Sequence, residues 1–224
     1  MAIFIVMTTP GLVIVMTTEY LKDPAAITAA SFAIIEREAA LGDLPARMRP
    51  VAARMIHTCG IILLVDHLAW SQGAAEKGSA ALAAGAPVLT DVSMVAAGIT
   101  PARLPADNKV ICALGEPDVA ELAKAAGTTR TAAALDHWAP HMDGAVVAVG
   151  NAPTALFRLL EMIRAGAPRP ALVVATPPGF VGAAESKDAL IANDLGLPYI
   201  AVIGRMGGSA LAAAAVNAMA KEGL

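Results

Sequence analysis

The sequence predicts an α/β fold: a single domain with a largely parallel sheet covered by helices on both faces, and an added β-hairpin at the N-terminus. Three observations carry that expectation. Short runs of continuous apolar residues alternate with helical segments, the pattern of strands that crossover helices bury on both faces. The chain is 57% hydrophobic but only 4% aromatic, so Ala, Val, Leu and Ile must build a core of helices packed closely on a sheet. Three glycine-rich segments each stand between an apolar run and a helical one. At 224 residues there is room for one full core, and no linker or low-complexity stretch divides the chain.

Residues 1–19 form an apolar extension ahead of the domain proper, 20–224. Met1 to Thr18 carry no charge, which approaches the length of a membrane span. Pro10-Gly11 interrupts the run, however, and no Lys or Arg precedes it, so neither a span nor a secretory signal is expected. The segment reads as strands Ile3–Met7 and Leu12–Met16 about a Thr-Pro-Gly turn, with Ile5-Val-Met-Thr-Thr9 repeated at Ile14–Thr18.

From Asp23-Pro24 the pattern is helical, with Ala26, Ile27, Ala30, Ala33, Ile34 and Ala40 on one period. A second helix covers Val51–Cys59, and Ser71 reads as the N-cap of an Ala-rich helix ending at Gly85. Next come a strand at Pro87–Thr90, a helical turn around Met94–Ala97 and a strand at Lys109–Leu114. Helices follow at Val119–Ala126 and Arg130–Trp138, the latter stopped by Pro140. Three strand–loop–helix units close the chain. Ala145–Val149 passes through Gly150–Pro153 into a helix from Thr154, and Ala171–Ala175 passes through Pro177–Gly182 into the helix carrying Glu185-Ser186-Lys187. Tyr199–Ile203 passes through Gly204–Gly208 into a helix over Ser209–Lys221.

The charge balance is 16 Lys+Arg against 19 Asp+Glu, a net −3, which leaves no basic footprint for nucleic acid. Cys59 and Cys112 lie far apart with no CxxC spacing, so zinc and redox motifs are missing and a reduced, cytoplasmic compartment is expected. In a parallel sheet, ligands sit beyond the carboxyl ends of the strands. Each of the three loops leaves such an end and opens a helix whose free N–H groups attract carboxylate or phosphate. Lys187 and Arg205 add full charges there, and Ser186 and Ser209 stand beside them in the candidate binding set. A site for a small molecule with several separated negative groups is expected, although tight turns alone would also explain each glycine loop. Gly204–Ser209 lacks a Gly-Lys-Ser/Thr ending, and no GxGxxG precedes an acidic residue at the right distance, so nucleotide binding is disfavoured.

Among titrating groups His57, in Arg54-Met-Ile-His-Thr-Cys-Gly60, is the best acid–base candidate. Arg54 lies one helical turn before it, on the same face. A hydrogen-bonded structural role for His57 is the alternative. His67 reads as packing. His137 and His141 have zinc spacing, but Pro140 lies between them and no metal site is expected. Cys59 has no positioned third member beside His57 and reads as an inert thiol.

These stretches resemble the precorrin-8X methylmutase family over Tyr20 to Leu224. The resemblance rests on Asp23–Ile27, Ser31-Phe-Ala-Ile-Ile35, Arg54–Gly60, Leu82–Pro87, Asp91 and Met94–Thr100. It continues through Ala102–Pro105, Asn108, Val110–Cys112, Thr129-Arg130, Gly150–Phe157, Gly179–Lys187 and Gly207–Ala210. It implies an isomerase that moves a methyl group from C11 to C12 of a tetrapyrrole by a 1,5-sigmatropic shift, giving hydrogenobyrinate in cobalamin biosynthesis. It implies no cofactor and no metal, a tetrapyrrole polycarboxylate as the ligand, no membrane partner, and a homodimer with active sites near the subunit boundary. The family's catalytic histidine falls on His57 as general acid. Ser31 and Arg54 fall on substrate contacts, with Arg130 a further one. Two related readings stay beside it: a cobalt-precorrin-8 methylmutase of the anaerobic pathway, and a non-catalytic tetrapyrrole carrier. The apolar run Ile61–Val65, Pro101 and Met206 depart from the family's more polar pattern, and the extension 1–19 is not part of it.

Overall fold

The computed structural model describes residues 20–220; the expected N-terminal hairpin lies outside them. Asp23 caps α1 (Pro24–Glu38), its carboxylate accepting the Ala26 N–H at 2.7 Å, with Pro24 pre-set for the first turn. Helix α2 (Met48–Cys59) stops at Gly60, whose φ of 70° supplies the left-handed cap. A 3₁₀ turn over Ile62–His67 leads into β1 (Leu68–Trp70), then α3 (Ala74–Ala83), β2 (Val88–Thr90) and α4 (Ser93–Gly98). After β3 (Val110–Ile111) come α5 (Val119–Ala126) and α6 (Arg130–Ala134). The three closing units are β4 (Val146–Val149) with α7 (Pro153–Arg164), β5 (Leu172–Ala175) with α8 (Ala183–Ile191), and β6 (Tyr199–Val202) with α9 (Ser209–Ala220).

The six strands lie in the order β1-β6-β5-β4-β2-β3. All neighbours are parallel except β1, which runs antiparallel to β6 with Leu68 opposite Val202. Strand alternation splits the core in two. Val146, Ala148, Leu172, Val174, Ile200 and Val202 face the layer containing α1, α2, α3, α4 and α9. Val147, Val149, Val173, Ala175 and Ala201 face α5 to α8. Helix α9 is buried at every position but Ala210, packed against α2, α3, α4 and the sheet, which explains why it is apolar on nearly all sides. Among the described residues no helix is long and apolar enough to cross a membrane.

Four local expectations change. Ser71 does not cap α3; Gly73, at φ 69°, occupies that place. The Ser71 hydroxyl instead accepts the Tyr199 N–H at 3.0 Å while its own N–H donates to the Tyr199 carbonyl, lengthening the β1–β6 pairing. Strand β1 itself was not expected, because three residues carry too little periodicity to show. Ala113 and Leu114, expected to close the strand from Lys109, lie instead in a 3₁₀ turn over Ala113–Gly115. Helix α6 is only five residues long and continues as 3₁₀ through His141, with Pro140 inside that turn rather than after it.

Candidate active site

Helix α1 buries Phe32 and Ile35 against α2 and leaves most of its other residues exposed. Ser31 therefore sits at the seam between the two helices. Arg54 and His57, one turn apart on α2, meet it there. The Ser31 hydroxyl and His57 Nδ1 are 2.7 Å apart. With the ring neutral, Ser31 donates to Nδ1 and the ring proton lies on Nε2; with the ring protonated, Nδ1 donates to the Ser31 hydroxyl, and in either case Nε2 points its N–H away from Ser31. Phe32 stacks on the imidazole, ring centroids 4.9 Å apart and planes 19° from parallel. The Arg54 guanidinium carbon stands 5.8 Å from the same Phe32 ring. One buried aromatic thus sets the position of both functional groups, a role that only an aromatic in an otherwise Ala- and Ile-rich helix could have signalled.

Arg54 is short of partners. Its Nε is buried and makes no hydrogen bond among the described residues. Burial first, and the charge of Arg103 second, lower its pKa. A desolvated guanidinium near a second cation is a strong attractor for a carboxylate. A cavity of about 230 Å³ opens at His57, lined by Ser31, Ile34, Glu38, His57, Gly60 and Ile62; Arg54 stands one helical turn away and does not line it. That volume lies below the usual range for drug-sized ligands, so it admits only part of a large molecule. A wider open groove of about 640 Å³ runs along the outer side of α1, past Thr28, Phe32 and Glu36.

The carboxyl ends of the strands are differently disposed. The Gly150–Ala152 helix start was expected to offer free N–H groups to a ligand, and it does not. Asp91, buried at the end of β2, accepts from Gly150, Asn151 and Ala152 at 3.0, 2.9 and 2.8 Å. Its pKa is nevertheless raised, because burial outweighs those three bonds. Gly150 must lack a side chain: a Cβ there would fall 2.8 Å from the Ser209 Cα. Gly207, at φ 156°, lies so close to β5 that a Cβ would meet the Thr176 carbonyl oxygen.

The remaining candidates distribute around this core. Arg205 is exposed and its guanidinium lies 5.4 Å from the Phe180 ring centroid. Arg130, first residue of α6, is exposed and donates to the Leu114 carbonyl at 3.3 Å. Thr129 before it caps α6 and shares a 2.7 Å hydrogen bond with Thr154 at the start of α7. Ser186, Lys187 and Ser209 are buried. The Ser186 hydroxyl donates back to Ala183, and Lys187 donates to the Met206 carbonyl at 2.8 Å. Burial lowers the Lys187 pKa to about 8. The structure therefore gathers Ser31, Arg54 and His57 into one cluster and gives Arg130 and Arg205 their contacts elsewhere.

The other residues weighed for chemistry lie apart from this cluster. His137 Nε2 pairs with Asp118 at 3.0 Å, and His67 is half-buried with its carbonyl taken by the Ile203 N–H. The Cys59 thiol donates to Ile56 of its own helix. Among the described residues no group of three His, Cys, Asp or Glu side chains is placed to hold a metal.

Fold and site together define a doubly covered α/β protein in which a serine, a histidine and a partly desolvated arginine meet at the seam of two helices. The chain belongs to the precorrin-8X methylmutase family, whose model matches residues 26–222; these are isomerases of cobalamin biosynthesis. It is 57% identical over 204 residues to a precorrin-8X methylmutase of Pseudomonas aeruginosa, covering 91% of this chain and 98% of the relative. A precorrin-8X methylmutase of a Sinorhizobium species is 52% identical over 206 residues, 92% of this chain and 98% of the relative. A cobalt-precorrin-8 methylmutase of Priestia megaterium is 35% identical, over 88% and 87% of the two chains. The solved precorrin-8X methylmutase of Thermus thermophilus superposes with a TM-score of 0.79 at 42% identity, covering 87% of this chain and 94% of that one.

Proposed function

We propose that the chain converts precorrin-8X to hydrogenobyrinate, moving a methyl group from C11 to C12 of the macrocycle with His57 as general acid. The observation that carries this reading is the Ser31–His57 hydrogen bond beside an Arg54 whose buried Nε makes no hydrogen bond among the described residues. Ser31 orients the imidazole so that Nε2 presents its proton to a ring nitrogen. Protonation or a strong hydrogen bond there makes the conjugated ring a better electron acceptor and lowers the barrier to migration. Such a transfer contributes about 10²–10⁴ in rate, and holding the macrocycle in its reactive tautomer supplies more. The methyl group leaves C11 and joins C12 within one molecule, so no external oxidant, reductant or methyl donor enters.

Arg54, Arg130 and Arg205 are the proposed grips on the acetate and propionate rim. Ser186, Lys187 and Ser209, being enclosed, shape the site from behind. The higher identity to relatives named for precorrin-8X, 57% and 52%, than to one named for the cobalt form, 35%, favours the metal-free substrate. A small cavity at His57 and exposed apolar residues nearby, including Ile27, Ile34, Ile61 and Leu63, support a cytoplasmic homodimer whose second subunit covers the macrocycle. Incubation of the purified protein with precorrin-8X, followed by visible spectroscopy, tests the reading: conversion to hydrogenobyrinate supports it, and an unchanged spectrum refutes it.

A further inference from the structure

Lys187 is wholly enclosed, at 0% exposure, yet the group it reaches is a backbone carbonyl rather than a carboxylate. A buried ammonium with so little compensation is costly to the fold and calls for a reason in function. Its position supplies one. Lys187 stands in the middle of α8 and donates to the Met206 carbonyl at 2.8 Å, inside the Gly204–Gly208 loop that joins β6 to α9. The same loop is tied at two further points to the segment after β5. The Arg205 carbonyl accepts from the Gly179 N–H at 3.1 Å, and the Gly208 N–H donates to Thr176 at 2.7 Å. The Thr176 hydroxyl returns a bond to the Gly208 carbonyl at 3.0 Å.

Two consecutive carbonyls, of Arg205 and Met206, are thus engaged by protein donors, while the Arg205 side chain is exposed against the Phe180 ring. We propose that Lys187 is a positioning residue: its buried amine clamps the Gly204–Gly208 loop in the shape that presents Arg205 to an acidic group on the rim of the ligand. The inference rests on the tetrapyrrole reading for the identity of that ligand, but not for the clamp itself. Direct recognition by Lys187 is excluded by its enclosure, because a carboxylate cannot reach Nζ unless the loop moves.

The test uses Lys187→Met, Lys187→Gln and Arg205→Ala in the full-length protein, with hydrogenobyrinate affinity read by absorbance titration. Lys187→Met removes a buried charge and keeps the volume, so its melting temperature holds or rises while affinity falls about tenfold. Lys187→Gln keeps an uncharged donor one atom short of the Met206 carbonyl and restores part of the affinity that Lys187→Met loses. Adding Lys187→Met to Arg205→Ala weakens binding no further, since the clamp acts through Arg205. Equal weakening in both backgrounds, or unchanged affinity in Lys187→Met, overturns the proposal. Hydrogen exchange without ligand tests the clamp independently: the Gly208 amide exchanges faster in Lys187→Met. If it does not, the clamp is wrong whatever the ligand. If it does, and wild-type protein fails to bind hydrogenobyrinate, the tetrapyrrole reading falls while the clamp stands.

Discussion

The α1–α2 seam and the carboxyl ends of the strands are both polar places in an apolar protein, and they treat their polar groups in opposite ways. At the seam, Arg54 keeps a buried Nε without a hydrogen bond among the described residues, and His57 is exposed with Ser31 on one of its nitrogens. At the strand ends, Asp91 takes three backbone N–H groups, Thr176 and Gly208 exchange two bonds, and Lys187 takes the Met206 carbonyl. A region that satisfies itself is scaffold; one that leaves a desolvated donor in reserve is built to meet a ligand. On the proposed reading the sheet end serves as scaffold and the seam carries the chemistry.

The sharpest way to break that division is to remove each region's central group and read activity and stability separately. His57→Ala is expected to fold normally and lose about 10²–10⁴ in turnover, because an exposed acid is removed rather than a core filler. His67→Ala and His141→Ala, assayed alongside, are expected to keep turnover near wild type. A near wild-type rate in His57→Ala would leave the methyl shift to positioning alone. The reverse is expected at the sheet end. Asp91→Ala strips the acceptor from three N–H groups at the start of α7 and should destabilise the fold by about 3 kcal/mol or more in urea titration. If Asp91→Ala melts like wild type, water or another group satisfies that loop and the scaffold assignment fails.

Much of this division was readable in the residues. Asp23-Pro24 announces α1 through its capping chemistry, the period of Val119–Ala126 marks α5 at its observed bounds, and the three late strands are apolar runs that only a doubly covered sheet needs. His57 and Arg54 could be paired because one helical turn separates them. Ser31 could not be joined to His57 by spacing, since they are 26 positions apart and only the packing of α1 on α2 brings them together. The helix starts show the sharper limit. That the Gly150 loop attracts a carboxylate is legible from glycines opening a helix; that the carboxylate is the protein's own Asp91 depends on β2 lying beside β4, which no local pattern encodes. Strand β1 was hidden for a similar reason, because the edge of β6 makes it a strand.

Smaller substitutions at the seam sharpen the comparison. Arg54→Ala should weaken hydrogenobyrinate binding by about 1.5–3 kcal/mol if its guanidinium meets a rim carboxylate. An unchanged dissociation constant in an absorbance titration would remove Arg54 from the binding set. Ser31→Ala loses one neutral hydrogen bond to the imidazole and is expected to cost about 0.5–1.5 kcal/mol in kcat/KM. That loss should fall on kcat, since Ser31 orients the acid. A loss confined to KM would make Ser31 a ligand contact instead.

A pH-dependent effect at the strand ends distinguishes a buried charge from a buried hydrogen bond. Burial lowers the Lys187 pKa from 10.5 to about 8, with the neighbouring Asp188 charge acting weakly in the other direction. Below about pH 8 both the folded and unfolded chains hold the proton, so the cost of the enclosed ammonium is constant. Between about 8 and 10.5 the folded chain has released its proton while the unfolded chain still holds it. The unfolded state then binds more protons, and stability must rise with pH across that window. Other titrating groups are common to wild type and Lys187→Met, so the difference between their melting temperatures isolates this one. That difference should be flat below pH 8 and move in favour of wild type by about 4–8 °C as pH approaches 10. A neutral amine still donates to the Met206 carbonyl, so the exchange rate of the Gly208 amide in wild type should not respond to Lys187 deprotonation once corrected for intrinsic pH dependence. If protection there collapses in the same window, the loop is held by charge rather than by the hydrogen bond.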